Sequence, residues 1–170
     1  MADEQMFELY LDLAEACHRE AWIAIERVIG LGIVITTLAQ EHQRDPEGLA
    51  KLYSLARLVH DSPKWTLEEY LKRFDPWEAV FIATKGSAYV GYTYLTERKD
   101  TPGVLHQCMT GVRPEYRRCG VGTALKVHGI AYAQAQGLRT IVTRVRPSNQ
   151  ASLAMNRKLG FREPAIPSTA

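Results

Sequence analysis

The turn Arg117-Arg118-Cys119-Gly120-Val121-Gly122 constrains this chain more than any other stretch. It joins a strand-like segment, Val104 to Val112, to an apolar-striped helix running to Gln136. A strand that turns through glycines into a helix leaves first-turn N–H groups without intrahelical partners, and the helix dipole adds partial positive charge there. Gly120 and Gly122 carry no Cβ to hold an anion away from those amides. Arg113, Arg117 and Arg118 add fixed positive charge around the same turn. The ligand this predicts is a diphosphate, held mostly by the backbone from Arg117 to Thr123. Two familiar phosphate loops are excluded by spacing. There is no G-x-x-x-x-G-K-[ST], and a third glycine at the dinucleotide spacing would fall at Thr123 or beyond. The acidic ribose partner expected about 20 residues on is also missing from Leu138 to Thr143.

Downstream of the turn, Thr140 to Val145 is apolar and β-branched and follows the helix stop at Gly137, so it reads as a strand. Ser148-Asn149 caps a short helix from Gln150 to Leu159, closed by Gly160, with Phe161 suited to the contact that accompanies such a stop. Upstream, residues 4 to 28 fit an amphipathic helix with Phe7, Leu11, Ala14, Ala21, Ile25 and Val28 near one face. Gly32 to Leu38 reads as a strand, and Asp45-Pro46 opens a helix reaching about His60. After a turn at Asp61 to Trp65, Thr66-Leu-Glu-Glu69 makes a capping box for a short helix to about Phe74. Ala79 to Thr84 and Ala88 to Thr96 are strands joined at Lys85-Gly86-Ser87.

Two signatures in this order resemble one family. The pattern Arg-x-x-Gly-x-Gly at 117–122 is similar to the acetyl-coenzyme A loop of the GNAT superfamily of N-acetyltransferases. The run Asn149-Gln-Ala-Ser-Leu-Ala-Met-Asn156-Arg-Lys-Leu-Gly-Phe161 resembles its second signature, an Asn-led helix ending in Leu-Gly-Phe. The resemblance covers about Gly30 to Phe161. It implies an α/β (α+β) fold with a mixed, mostly antiparallel sheet flanked by helices. Residues 1–29 would be an extra N-terminal helix or connector, and 30–170 the acetyltransferase domain. The end of the chain departs from the family, which usually adds two further strands after Leu-Gly-Phe; residues 162–170 have room for one short strand. The chain is thus expected to be a C-terminal half of a tandem protein, a truncated relative, or a subunit completed by a homodimer partner or companion domain along Thr140–Val145.

The resemblance also implies a site. The strands on either side of the loop splay apart, and the pantetheine arm of acetyl-coenzyme A lies between them. Main-chain groups of Thr110, Gly111 and Val112 would bond the arm, and Asn149, Ser152 and Asn156 would face its acetyl end. Asn149 and Asn156 are seven apart, about 20° on a helix, so a plain polar surface stripe is the alternative. Many members carry a tyrosine where Asn156 stands, as proton donor to the leaving thiolate. Asparagine can only hydrogen-bond the sulfur or hold a water, which leaves the general acid unassigned. The attacking amine must be neutral, yet an alkyl amine is mostly protonated at pH 7, so a base is required. Strand alternation puts His106, Cys108 and Thr110 on one face, and His106 falls where some members carry a basic glutamate. Glu97 and Asp61 are weaker candidates. Cys119 reads as a small filler or a reactive thiol within the positive turn. The family often has glycine at the position of Arg118. Trp65, Phe74, Trp77 and Tyr94 would either line an acceptor pocket or belong to the core.

Composition sets the remaining bounds. At 170 residues the chain is one domain's worth, and a formal net charge of +2 gives no field that points to nucleic acid or membrane. Cys17, Cys108 and Cys119 show no paired or metal-type spacing, as expected of reduced thiols in a cytoplasmic protein, and the histidines show no metal-ligand spacing. The apolar stretch Trp22 to Leu38 is broken by Glu26-Arg27 and two glycines. The expected activity is acetyl transfer to a small-molecule or peptide primary amine by direct attack in a ternary complex. The rivals are an acyl-coenzyme A-binding or regulatory module without catalysis, favoured by the missing tyrosine and short C-terminus, and an unrelated nucleotide-binding fold.

Overall fold

The computed structural model describes residues 5–60 and 65–164. Along the chain run β1 (Phe7–Asp12), α1 (His18–Gly30), β2 (Val34–Thr37), α2 (Leu38–Arg44), α3 (Gly48–Val59) and α4 (Leu67–Leu71). They are followed by β3 (Val80–Lys85), β4 (Ala88–Glu97), β5 (Leu105–Val112), α5 (Val121–Ala135), β6 (Thr140–Val145) and α6 (Gln150–Leu159). The strands form one sheet in the order β1-β6-β5-β4-β3-β2. Every neighbouring pair is antiparallel except β5–β6, which is parallel.

The chief departure from expectation lies at the front. Residues 7–12 are a strand, and the helix begins only at His18. The run Phe-Glu-Leu-Tyr-Leu-Asp alternates, with Leu9 and Leu11 fully buried and the acidic and tyrosine side chains on the opposite face. Phe7, Leu11 and Ala14 also fall at helical spacing, so periodicity alone admits both readings; pairing with β6 decides for the strand. β1 pairs antiparallel with β6 along its whole length, from Phe7 opposite Val145 to Asp12 opposite Thr140. Its outer edge exchanges Tyr10 N–H to Arg162 O and Arg162 N–H to Tyr10 O, each 2.8 Å. The β6 edge expected to require a partner subunit or domain is therefore covered by the chain's own N-terminal segment. That segment, read as a connector, contributes a strand to the sheet and a helix to its core.

Two further differences are local. Leu38–Arg44, read as the end of a strand and a loop, is a helix opened by a reciprocal capping box between Thr37 and Gln40. Asp45-Pro46 separates it from α3, and the Asp45 carboxylate accepts from Glu47 N–H at 2.9 Å. The turn at Asp61 lies partly outside the described residues.

Two cores sandwich the sheet. One gathers Leu9, Leu11, Ala24, Val28, Val121, Leu125, Ile141, Leu153 and Phe161 from β1, α1, α5, β6, α6 and the segment just after α6. The other gathers Leu38, Leu52, Leu55, Tyr70, Phe74, Ile82, Tyr92 and Tyr94 beneath α2, α3 and α4. Phe74 and Tyr94 are thus core residues, with rings 4.9 Å apart in an edge-to-face contact. Trp65 and Trp77 pack against the same cluster.

Candidate active site

The glycine turn forms as its sequence requires, though its two glycines have different reasons to be there. Gly120 is the N-cap of α5 at φ 87°, in the left-handed region open to glycine. A Cβ on it would lie 3.4 Å from Arg27 Cδ and 3.8 Å from Ala24 Cα. A side chain there would face α1 at ordinary contact distance, and it is the left-handed backbone that calls for glycine. A Cβ on Gly122 would instead point at Met155 Sδ (3.5 Å), Val112 Cγ2 (3.7 Å) and Thr110 Cγ2 (3.9 Å), into the gap between β5 and α6. Arg118 sits at φ 59°, a left-handed backbone that costs a side-chain-bearing residue about 1–2 kcal/mol. Arg117 Nε donates to Val112 O at 3.1 Å, Arg113 Nε to Tyr89 O at 2.8 Å, and Arg27 of α1 joins the turn from outside the motif. Cys119 packs against the core, and its thiol lies 3.4 Å from Arg117 O, as befits a filler.

From this turn a cleft opens into the sheet. β5 and β6 pair only through Leu105–Ile141, His106–Val142 and Gln107–Thr143. Beyond Gln107 they part, so Cys108–Val112 and Arg144–Val145 form the two arms of a V. The Thr143 hydroxyl donates to Gln107 O at 3.0 Å at its apex. β5 also carries a bulge: Thr93 faces Thr110 and Leu95 faces Gln107, so two residues of β5 oppose Tyr94 alone. One extra residue reverses the alternation. His106 and Cys108 stay on the α3 side of the sheet, with His106 Nδ1 3.6 Å from Cys108 Sγ and the Thr96 hydroxyl 3.3 Å from the same sulfur. Thr110 turns to the α5 side, where its methyl nears Gly122 and its hydroxyl bonds that of Thr93 at 2.9 Å. The expected sharing of one face by His106, Cys108 and Thr110 is thereby corrected.

On the α5 side, the cleft is lined by α6 and the second residue stripe of α5. Asn149 caps α6 by accepting from Ser152 N–H at 3.1 Å. Asn156 is fully buried; its amide donates to Ser152 O (2.8 Å) and Oγ (3.2 Å), and its Oδ1 has no protein partner. The stripe Asn149, Ser152, Asn156 is thus graded from exposed to buried, and its inner end is interior. Deeper on the same side lies Lys126, 2 % exposed, its Nζ 3.5 Å from Gln107 Oε1 and 5.6 Å from the centre of the Phe161 ring. Burial pulls this ammonium down to about 7. Sequence reading missed Lys126, although a lysine interrupting the apolar run Val121 to Ile130 was the available signal.

On the α3 side, His106 lies in a lateral row with Thr96 of β4, Val142 of β6 and Tyr10 of β1. An open cavity of about 260 Å³ lies here, lined by His106, Thr96, Glu97, Arg98, Asp100 and Arg144. Its charges are tied together by Glu8 of β1, which bonds Arg98 Nη1 and Arg144 Nε, each at 2.9 Å. The Tyr10 hydroxyl, with both guanidiniums, holds the Glu8 carboxyl at about 2. Burial, with the Arg144 and Arg98 cations, pulls His106 below its ordinary 6.5. Glu97 borders the cavity, whereas Asp61 lies outside the described residues. A second histidine, His60, stands against the splayed half of β5: its Nε2 is 2.8 Å from Tyr92 OH and would be 3.1 Å from a Cβ at Gly111.

A glycine turn feeding a cleft between two parting parallel strands defines an acyltransferase class of fold, and comparison with known proteins agrees. Residues 36–161 match the model of the Acetyltransferase (GNAT) family. The chain belongs to that family. β1 and α1 lie outside the matched residues. It is 30 % identical over 131 residues to the mycothiol acetyltransferase of Thermobispora bispora, covering 71 % of this chain and 44 % of that protein. It is 31 % identical over 100 residues to the ribosomal protein bS18-alanine N-acetyltransferase of Escherichia coli K12, covering 54 % of this chain and 68 % of that one. The diaminobutyrate acetyltransferase of Paenibacillus lautus, solved with L-2,4-diaminobutyric acid and coenzyme A, superposes with a TM-score of 0.57 at 23 % identity, covering 72 % of this chain and 71 % of that one. Among the described residues no helix is long and apolar enough to cross a membrane.

Proposed function

We propose that this chain transfers an acetyl group from acetyl-coenzyme A to a primary amine, with donor and acceptor bound together on opposite sides of β5. The observation that carries this reading is the parting of β5 and β6 after Gln107, with the glycine turn and α6 on one side and the His106 cavity on the other. The residues present fit the donor. Gly122 leaves open the space a Cβ would fill between β5 and α6, and the buried Oδ1 of Asn156 lacks a donor that an arm's amide N–H supplies. The first-turn amides of α5, with Arg117 and Arg118, suit the diphosphate. Main-chain groups of Thr110 to Val112 lie along the open arm of the V and suit the pantetheine amides. An N–H there also suits a thioester oxygen that gains charge as the amine attacks.

On the acceptor side, His106 takes the amine's proton, directly or through one water. Its lowered pKa keeps the imidazole neutral, and hence basic, at pH 7. Arg98, Arg144 and Glu8 set a mixed-charge environment suited to a small polar or peptide amine. The chain spans about half the length of the mycothiol acetyltransferase it resembles, so its acceptor need not be theirs.

A second reading, a coenzyme A-binding module without catalysis, is favoured by asparagine at position 156. Titration calorimetry with coenzyme A, followed by thiol release from acetyl-coenzyme A with a panel of amines, separates the readings. Binding with amine-dependent thiol release supports transfer, binding with no release to any amine supports the module, and no binding removes both.

A further inference from the structure

The mechanism above leaves one proton unassigned, the one the departing thiolate must gain, and one buried ionisable group unused. We propose that Lys126 is the acid of this enzyme: its ammonium sits at the floor of the donor cleft and protonates the coenzyme A sulfur, the task that Asn156 has no proton to perform. This rests on the acetyl-transfer reading of the same cleft.

Placement carries the assignment. Gly122 and Lys126 are four apart on α5 and lie on one face. The outer position looks onto Met155, Val112 and Thr110, the walls of the gap between β5 and α6. One turn deeper, Lys126 Nζ reaches Gln107, the last residue of β5 to pair with β6. The amine therefore stands at the apex of the V, the inner end of any chain threaded from the glycine turn. Its protein contacts there are meagre. A 3.5 Å approach to a neutral amide and the face of Phe161 replace the carboxylate that normally accompanies a buried lysine. Burying an amine this way costs stability, and a purely structural role would be served better by methionine or leucine. The titratable groups coupled to it are Cys108 and His106, both on β5. α6 presents Asn156 and Met155, and β6 presents Thr143, none of them charged near neutrality.

The step balances. As the acceptor nitrogen bonds the carbonyl carbon, the carbon–sulfur bond breaks and its electron pair stays on sulfur. Lys126 Nζ gives that sulfur a proton while His106 takes one from the new amide nitrogen. The net products are the acetylated amine and free thiol, and solvent restores both side chains. An acid that ionises near neutrality is well matched to an alkyl thiolate, the stronger base of the two, since even a cysteine thiol titrates at about 8.5.

The test compares wild type with Lys126→Met, each saturated with coenzyme A, reading the ultraviolet absorption of the bound thiolate as pH is raised. The amine and the thiol titrate as a pair: a proton held on Nζ beside the thiolate brings the thiolate absorption in at a pH lower by about one unit or more than in the variant. In turnover, Lys126→Met loses about 10²–10⁴-fold in kcat with coenzyme A affinity nearly unchanged. Lys126→Gln takes the same measurements should the methionine variant not fold. Equal midpoints, or a kcat within about threefold of wild type, overturn the assignment while leaving the donor site intact. Wild-type protein that binds no coenzyme A overturns the transfer reading and this inference with it.

Discussion

The two sides of β5 are built by opposite means. Toward α5, the cleft is made of backbone and of buried groups with few partners: the α5 N-terminus, the unpaired arm of β5, Asn156 and Lys126. Toward α3, the cavity around His106 is made of charged side chains from β1, β4, the turn after β4, and β6, already tied to one another through Glu8. The first arrangement suits a donor recognised through a fixed chemical handle, because unsatisfied groups and open space wait for it. The second suits recognition by charge and shape, which substitution retunes without disturbing the donor. The difference teaches where change is tolerated. On the proposed donor side it should break binding, and on the proposed acceptor side it should change rate or choice.

The largest expected effect separates the two glycines of the turn. Gly122→Val fills the gap beside Met155 and Val112 and should weaken coenzyme A by about 10³-fold or more, some 4 kcal/mol. Thermal stability should stay close to wild type. Gly120→Val should lose stability first, because its φ of 87° resists a side chain. Calorimetric titration and a thermal melt on both variants check this. A stable Gly122→Val that still binds coenzyme A removes the donor cleft.

Next comes the acceptor side, where His106→Ala should cut kcat by about 10²–10⁴-fold with little change in coenzyme A affinity. The base must be neutral to act, so rate rises with pH through its pKa. Burial has lowered that pKa, so the rising limb of kcat/KM lies below pH 6.5 and should vanish in the variant. Should the variant keep rate and limb, His106 only borders the cavity, and His60, on the same side of β5, becomes the histidine to replace.

The third effect tests whether β1 belongs to the site's frame. Leu11 is fully buried, so Leu11→Ala should cost about 2–5 kcal/mol in a denaturant titration. A cost below about 0.5 kcal/mol, the level of a surface change, would mean that β1 does not hold the sheet's edge. The smallest effect concerns Arg118. Arg118→Gly relieves a left-handed backbone and should add about 1 kcal/mol of stability, offset by the greater freedom of glycine in the unfolded chain. A loss of stability would show that the guanidinium contributes more to the turn than the strain costs.

Most of the donor side was legible in the residues. The glycine turn, the strand before it, and the Leu-Gly-Phe helix all formed within a residue or two of where local pattern put them. Less was legible wherever two distant segments decide. Residues 7–12 satisfy both a helical and an alternating pattern, and only the free edge of β6 selects the strand. The bulge opposite Tyr94 follows from strand register, so the face occupied by Thr110 could not be read from spacing. Of the aromatic residues considered for an acceptor pocket, Phe74 and Tyr94 proved to be core, while Trp65 and Trp77 are half-buried against the same cluster.

By itself, the sequence determined the parts whose physics is local: where helices start and stop, where a left-handed turn needs glycine, and where unpaired amides gather beside positive charge. Capping, φ preference and the helix dipole act within a few residues, so a short motif carries them whole. The tertiary structure decided what depends on neighbours far apart in the chain. It closed the sheet with the N-terminal strand, turned Gly120 toward α1, and joined Glu8 to Arg98 and Arg144 around His106. It also buried Lys126 without a carboxylate. Burial, register and long-range charge pairing are properties of which surfaces meet, and a linear pattern does not contain them.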